Sequence, residues 1–88
     1  MFRLWAKEFK DTRMLRDMMV EDDSTDTRTH KVFNAIEKIC YEFDLCKPIW
    51  LDKNIAEFKR LSKTRFERDN FIEQIDFDYL EIHVIEED

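Results

Sequence analysis

The chain has 88 residues, no glycine, one proline and a formal net charge of −6 at pH 7. Without glycine it cannot form the glycine-rich loops that hold nucleotide phosphates, so enzymes that depend on such loops are excluded. A hydrophobic fraction of 43% with 14% aromatic residues is too high for a disordered chain. These values predict one small, soluble domain over residues 1–88.

The N-terminal segment alternates between apolar and polar side chains with the period of a β-strand. Phe2, Leu4 and Ala6 fall on one face, and Met14, Met18 and Val20 continue the alternation beyond the polar connection Lys-Asp-Thr-Arg. Two segments of period 2 joined by a short polar loop predict a β-hairpin.

A helical spacing of apolar residues begins after this hairpin, between residues 28 and 44. The residues expected on the buried side are Val32, Phe33, Ile36, Ile39, Cys40 and Phe43. Lys31 is among the residues expected to face away. This pattern predicts a long helix that ends before Pro48. Cys40 is interpreted as a small core residue, and two cysteines without a CxxC spacing indicate reduced thiols and a cytoplasmic location.

The rest of the chain predicts one more helix and a terminal strand. In PIWLDKNIAEFKRLS, Asp52 is the expected N-cap of a short helix. Its expected apolar residues are Ile55, Phe58 and Leu61. Residues 62–75 are ambiguous; we expect a short strand or an irregular segment near residues 65–67, followed by a turn at RDN. The stretch FDYLEIHVIEE predicts a strand of nine or ten residues. One face would carry Leu80, Ile82 and Val84, and the other Phe77, Tyr79, Glu81, His83 and Ile85.

Grouped strands and two helices predict an α+β fold. The expected architecture is a small single domain with an N-terminal β-hairpin. One long and one short helix pack on an antiparallel sheet that the C-terminal strand completes.

The stretch VEDDSTDTRTH, residues 20–30, is the densest group of acidic and hydroxyl side chains. As a calcium loop starting at Asp22 it would have Thr27 in place of the required glycine and Phe33 in place of the bidentate glutamate. Phosphorylation of Ser24 or Thr25 stays open. The preferred interpretation is that Asp26 or Thr27 caps the long helix.

No other motif indicates catalysis. The two histidines, His30 and His83, have no partner at a metal-binding spacing. No hydroxyl residue lies in a nucleophile motif. We therefore predict a protein that is not an enzyme, with no catalytic residues, no metal site, no cofactor and no identifiable small-molecule substrate.

Charge is unevenly distributed along the chain. Residues 52–68 have a net charge of +3, whereas residues 69–88 hold eight acidic residues and no lysine or arginine. The basic cluster is short and interrupted by acidic residues, so nucleic-acid binding is not expected. Opposite charges could neutralise one another within the fold, or they could meet a partner or a second copy. No apolar run is long enough for a membrane span.

The segments TRMLRD, KPIWLDKNIAEFKR and IDFDYLEIHVIEED resemble short acidic proteins of unknown function from Gram-positive gut bacteria. The resemblance covers most of the chain. It implies a bacterial cytoplasmic protein, and it assigns neither an activity nor a site residue.

Two functional hypotheses follow. The first is a cytoplasmic protein-interaction domain that associates with a second copy of itself or with another protein. Its interface would lie on the sheet face opposite the helices, with the residues Trp5, Phe77, Tyr79, His83 and Ile85. The alternative is an acidic inhibitor that mimics nucleic acid and binds a basic groove of a nucleic-acid enzyme.

Overall fold

The computed structural model describes residues 1–87 and contains four strands and two helices within them. In chain order these are β1 (Phe2–Lys10), β2 (Arg13–Asp22), α1 (Arg28–Phe43), α2 (Asp52–Leu61), β3 (Lys63–Phe66) and β4 (Tyr79–Glu86), with a short 3₁₀ turn at Arg68–Asn70 before β4. This confirms the predicted α+β architecture, with its N-terminal hairpin, long and short helices and C-terminal strand.

The strands form one antiparallel sheet in the order β2-β1-β4-β3. The first and last strands of the chain are therefore neighbours in its centre. β1 and β2 are joined by two residues, Asp11 with φ 52° and Thr12 with φ 65°. Positive φ at both positions is what a type I′ turn requires, and its twist suits a hairpin. Glycine usually takes such positions; this chain uses Asp and Thr instead.

Both helices pack against one face of the sheet. β1 contributes the buried residues Phe2, Leu4 and Ala6, as the alternation of its side chains predicts. The register places Leu4 of β1 opposite Val84 and Ala6 opposite Ile82, so the central strands present one continuous apolar face. The core therefore lies between this face and the two helices.

Helix α1 begins after Thr27, whose hydroxyl oxygen accepts a hydrogen bond of 3.2 Å from the backbone N–H of His30. It ends at Asp44, which has φ 56° in the left-handed conformation. Two side chains differ from the prediction. Phe33 is 50% exposed, because its ring packs on the outer side of the helix against the edge of Trp50. Lys31 is buried, with its ammonium group 6.0 Å from the Phe2 ring centre, as long cationic side chains can be when the stem packs on apolar surface.

Helix α2 begins at Asp52, one residue earlier than predicted, so that Leu51 and not Asp52 occupies the N-cap position. Of the predicted apolar stripe only Phe58 is buried, while Ile55 and Leu61 are exposed. The side chain that fixes α2 is Asn54, whose Oδ1 accepts a hydrogen bond from the backbone N–H of Leu51 at 3.2 Å.

Asn54 belongs to a buried network of hydrogen bonds that joins α2, β3 and the 3₁₀ turn. Its amide nitrogen donates to the Thr64 hydroxyl and to the Arg65 carbonyl, both at 2.9 Å. Asn70 donates to Asn54 Oδ1 and to the Ile49 carbonyl, both at 2.7 Å. Buried polar groups cost stability unless they are paired. These are paired, so the network specifies how the irregular segments meet.

A second polar connection ties the hairpin to the end of α1. Glu8 is buried on the helix side of the sheet, and Arg16 donates two hydrogen bonds of 3.2 Å to its carboxylate. Arg16 also donates to the Phe43 carbonyl at 3.0 Å and lies 4.2 Å from the centre of its ring. A cation at a helix C-terminus is favourable because the last carbonyls carry partial negative charge.

Within residues 1–87, neither helix is long and apolar enough to cross a membrane.

Candidate functional site

The sheet face opposite the helices is not covered by any other part of the described chain. Side chains alternate along a strand, so every second residue of each strand points to this uncovered face. From the register, the uncovered face carries Asp17, Met19 and Glu21 on β2, Arg3, Trp5, Lys7 and Phe9 on β1, Tyr79, Glu81 and His83 on β4, and Lys63 and Arg65 on β3. Charged and aromatic residues therefore share this face, whereas the solvated face of an antiparallel sheet usually carries polar residues.

Glu81 lies at the middle of the uncovered face and binds cations from both neighbouring strands. Its carboxylate is 3.0 Å from Nζ of Lys7 on β1 and 3.2 Å from Nε of Arg65 on β3. Only 12% of the Glu81 side chain is exposed, against 57% for Arg65. Through these two contacts, the Glu81 carboxylate on β4 links β1 and β3 to its own strand.

The pKa of Glu81 reflects this arrangement. Burial acts to raise it, but hydrogen bonds from Lys7 and Arg65 and their positive charges outweigh burial, and the pKa is lowered from its usual 4.5. The carboxylate is thus ionised at neutral pH. Lys7 and Arg65 each carry one positive charge and Glu81 one negative charge, so the group of three has one positive charge in excess.

Trp5 lies beside this group and is held in place by polar contacts. Its indole Nε1–H donates to Asp17 on β2 at 2.8 Å, and the Lys7 ammonium lies 4.1 Å from its ring centre. The register puts Trp5 next to Met19 on one side and next to His83 on the other. The indole ring is half-buried.

His83 and Tyr79 complete the aromatic part of the surface. Burial lowers the pKa of His83, and the charges of Lys63 and Lys7 lower it further, so its imidazole is neutral at pH 7. Tyr79 stacks on Phe9 with ring centres 5.1 Å apart, and the Arg65 guanidinium lies 4.4 Å from the Tyr79 ring. These contacts fix the rings before any partner arrives, which reduces the entropy lost on binding.

Three of the five predicted interface residues, Trp5, Tyr79 and His83, lie together on the uncovered face. Ile85 is 45% exposed but occupies an extra position in β4, where the register against β1 shifts at the end of the sheet. The predicted placement of Phe77 is wrong. It precedes β4, is only 3% exposed, and packs edge-on against Phe71 with ring centres 6.0 Å apart.

Several residues of this surface were missed from the sequence, among them Phe9, Met19 and Arg65. The alternation of β1 places Lys7 and Phe9 on the same face as Trp5, so part of this signal was present. Arg65 and Asp17 could not be placed without knowing which strands pair.

The segment before α1 is organised by hydrogen bonds between its own side chains and backbone. The Asp22 carboxylate accepts from the Ser24 N–H at 2.8 Å, and the Asp26 carboxylate accepts from the Thr27 N–H at 2.9 Å. Asp26 also lies 2.9 Å from Nδ1 of His30. The pKa of Asp26 is lowered, first by this contact with His30 and second by the hydrogen bond from the Thr27 N–H. The predicted cap is present, with Thr27 as the N-cap. Modification of Ser24 or Thr25 stays a prediction.

Two observations concern possible metal and thiol chemistry. Within residues 1–87, no group of three or more His, Cys, Asp or Glu side chains is placed to hold a metal ion. Cys40 is buried, and burial raises the pKa of its thiol to about 11, so it is not a thiolate at neutral pH.

Comparisons with protein-family models, curated proteins and solved structures found no match.

Proposed function

We propose that this chain is a non-enzymatic protein-interaction domain, and that it associates with a second copy of itself through the uncovered sheet face. The observation that carries the proposal is the set of half-buried aromatic residues Trp5, His83 and Tyr79 on a face without a covering layer. Aromatic residues are enriched at the centres of protein interfaces, where they contribute most of the binding energy.

The size of the face sets the expected strength. Four strands about 4.8 Å apart and about eight residues long give a face of roughly 500 Å². Two such faces would bury about 1,000 Å² in total, at the lower limit of specific interfaces. We therefore expect a reversible dimer that forms in the micromolar range.

Sedimentation velocity from 5 to 500 µM tests this proposal. We expect wild type to shift from monomer to dimer with rising concentration. Trp5→Ala should weaken the dimer at least about tenfold, because central tryptophans are typical hot spots. Tyr41→Ala is the matched control, since Tyr41 is an aromatic residue 86% exposed on α1, on the helical side. A monomer at every concentration, or equal effects of the two substitutions, would contradict the proposal.

The alternative of an acidic mimic receives support from a different surface than the sequence indicated. Most acids after residue 68 bind partners within the fold, among them Glu73 with the Cys46 N–H, Glu86 with Arg3, and Glu87 with Arg28. A second group of acids gathers around the end of β2 and the outer side of α1, where Glu21 pairs with Arg3 and Glu37 with Lys47. Six acidic residues and one lysine line the groove there, namely Glu21, Asp22, Asp23, Asp26, Glu37, Glu42 and Lys38.

A mimic that binds a basic groove depends on charge, so its complex should dissociate as salt rises. The experiment is capture of partners on immobilised protein at 50 mM and 500 mM NaCl. The mimic hypothesis expects a partner that is lost at high salt and also lost from the variant Glu37→Lys with Glu42→Lys. A partner retained at both salt concentrations would count against the mimic.

A further inference from the structure

Charged residues cross the uncovered face in one row, and their signs alternate. The register places Asp17 on β2 beside Lys7 on β1, Lys7 beside Glu81 on β4, and Glu81 beside Arg65 on β3. From one edge of the sheet the charges run negative, positive, negative, positive. Read from the other edge, the charges of the same row run positive, negative, positive, negative.

A row of this kind is complementary to itself when it is reversed. Consider a two-fold axis that runs parallel to the strands, midway between two facing copies and between β1 and β4. This axis places β2 over β3 of the second copy and β1 over its β4, and it keeps each row at the same height along the strands. Asp17 then faces the partner's Arg65, and Lys7 faces the partner's Glu81. All four positions of the row meet an opposite charge.

The next row fits the same arrangement. It contains Met19, Trp5, His83 and Lys63, in the strand order β2, β1, β4, β3. Under the same axis, Trp5 faces the partner's His83, which places an indole against an uncharged imidazole. Met19 faces the partner's Lys63, whose aliphatic stem can cover it. Two-fold axes perpendicular to the strands would instead place each edge strand over its own copy, and acidic β2 would lie over acidic β2.

We propose that two copies pack face to face about a two-fold axis parallel to the strands, with Asp17 of each copy paired to Arg65 of the other. This inference rests on the proposed self-association and names its geometry. Facing sheets pack about 10 Å apart, a gap that arginine and aspartate side chains extending from both sides can bridge. Charge complementarity then selects the register, and the aromatic row supplies the apolar contact.

Exchanging the two charges tests the geometry. We expect Asp17→Arg alone to weaken the dimer at least tenfold, because each introduced arginine faces the partner's Arg65. We expect Arg65→Asp alone to do the same, because each introduced aspartate faces the partner's Asp17. In an equimolar mixture of the two variants, every one of these contacts joins opposite charges. Association in the mixture should return to within about threefold of wild type, as measured by sedimentation velocity at 150 mM NaCl.

The mixture separates this geometry from simple damage to the fold, since two misfolded variants would not restore one another. Glu42→Arg changes charge by the same amount as Asp17→Arg on the exposed side of α1 and should leave association unchanged. Wild type that stays monomeric at 500 µM would overturn the proposed self-association itself. Wild type that dimerises, with no recovery in the mixture, would overturn this geometry and leave self-association standing.

Discussion

Glu81 shows how a single side chain links the uncovered face to the stability of the fold. Its pKa is lowered because hydrogen bonds from Lys7 and Arg65 outweigh the effect of burial. A carboxylate with a lowered folded-state pKa stabilises the fold above its unfolded pKa of about 4.3. That contribution is lost as the pH falls through the folded-state pKa.

We therefore expect Glu81→Gln to lower the free energy of unfolding at pH 7 by about 1–2 kcal/mol, through weaker hydrogen bonds to two cations. The difference from wild type should shrink as the pH falls through the folded-state pKa and the wild-type carboxyl becomes protonated. Urea denaturation at pH 7 and pH 3, at low micromolar protein, measures both values. Glu42→Gln, exposed on α1, is the control and should change little. A loss for Glu81→Gln that is equal at both pH values would contradict the electrostatic account.

The residues that sequence analysis misplaced share a physical cause. Hydrophobicity alone predicts Phe33 inside and Lys31 outside. In the structure, however, Lys31 is buried with its ammonium group over the Phe2 ring, and the exposed Phe33 ring contacts Trp50. Asn54 could not be recognised as a core residue, because its burial depends on Thr64 and Asn70, which the fold brings to it. Such outcomes are decided by tertiary partners.

At the scale of elements, the hairpin, α1 and the C-terminal strand were predictable because their hydrophobic patterns are local, whereas β3 lies in the stretch that the sequence left ambiguous. The C-terminal strand was predicted to include Phe77, but β4 begins at Tyr79 after a bend at residues 76–78, so the alternation does not extend back to it. Trp5 and His83 could each be assigned to a strand face from the sequence. Their contact could not, because it requires β1 and β4 to be paired.

The start of α1 provides a prediction at this scale. Thr27→Ala should lower the free energy of unfolding by about 1 kcal/mol, because the His30 N–H loses its acceptor at the N-cap. Thr29→Ala, two residues further along the chain, is the control and should change the free energy of unfolding little. Urea denaturation of both variants measures the difference.

Addition of calcium tests the rejected calcium-loop interpretation of the segment before α1. The capping account expects 1 mM Ca²⁺ to leave the melting temperature of wild type unchanged. A ligand at about 100 times its dissociation constant would add about 2.7 kcal/mol of stability, which a domain of this size would show as several degrees. A calcium-dependent rise that Asp26→Ala abolishes would contradict the capping account.

For the whole molecule, the charge that is segregated along the chain becomes mixed in space. Acids of the C-terminal third pair with cations from the hairpin and the helices, as Glu86 does with Arg3 and Asp69 with Lys53. A net charge of −6 on each copy still opposes association at long range. At about 0.15 M salt the Debye length is about 8 Å, so this repulsion is screened more than contacts at the interface.

The pairing of β1 with β4 also determines when the sheet can form. The hairpin and α1 are built from neighbouring parts of the chain, but the central ladder joins its first strand to its last. Closing so long a loop is entropically costly, and native contacts between distant residues slow folding. During synthesis, one edge of β1 therefore stays unpaired until residues 79–86 emerge from the ribosome. In that interval, the apolar face of the hairpin is exposed to other chains and to chaperones.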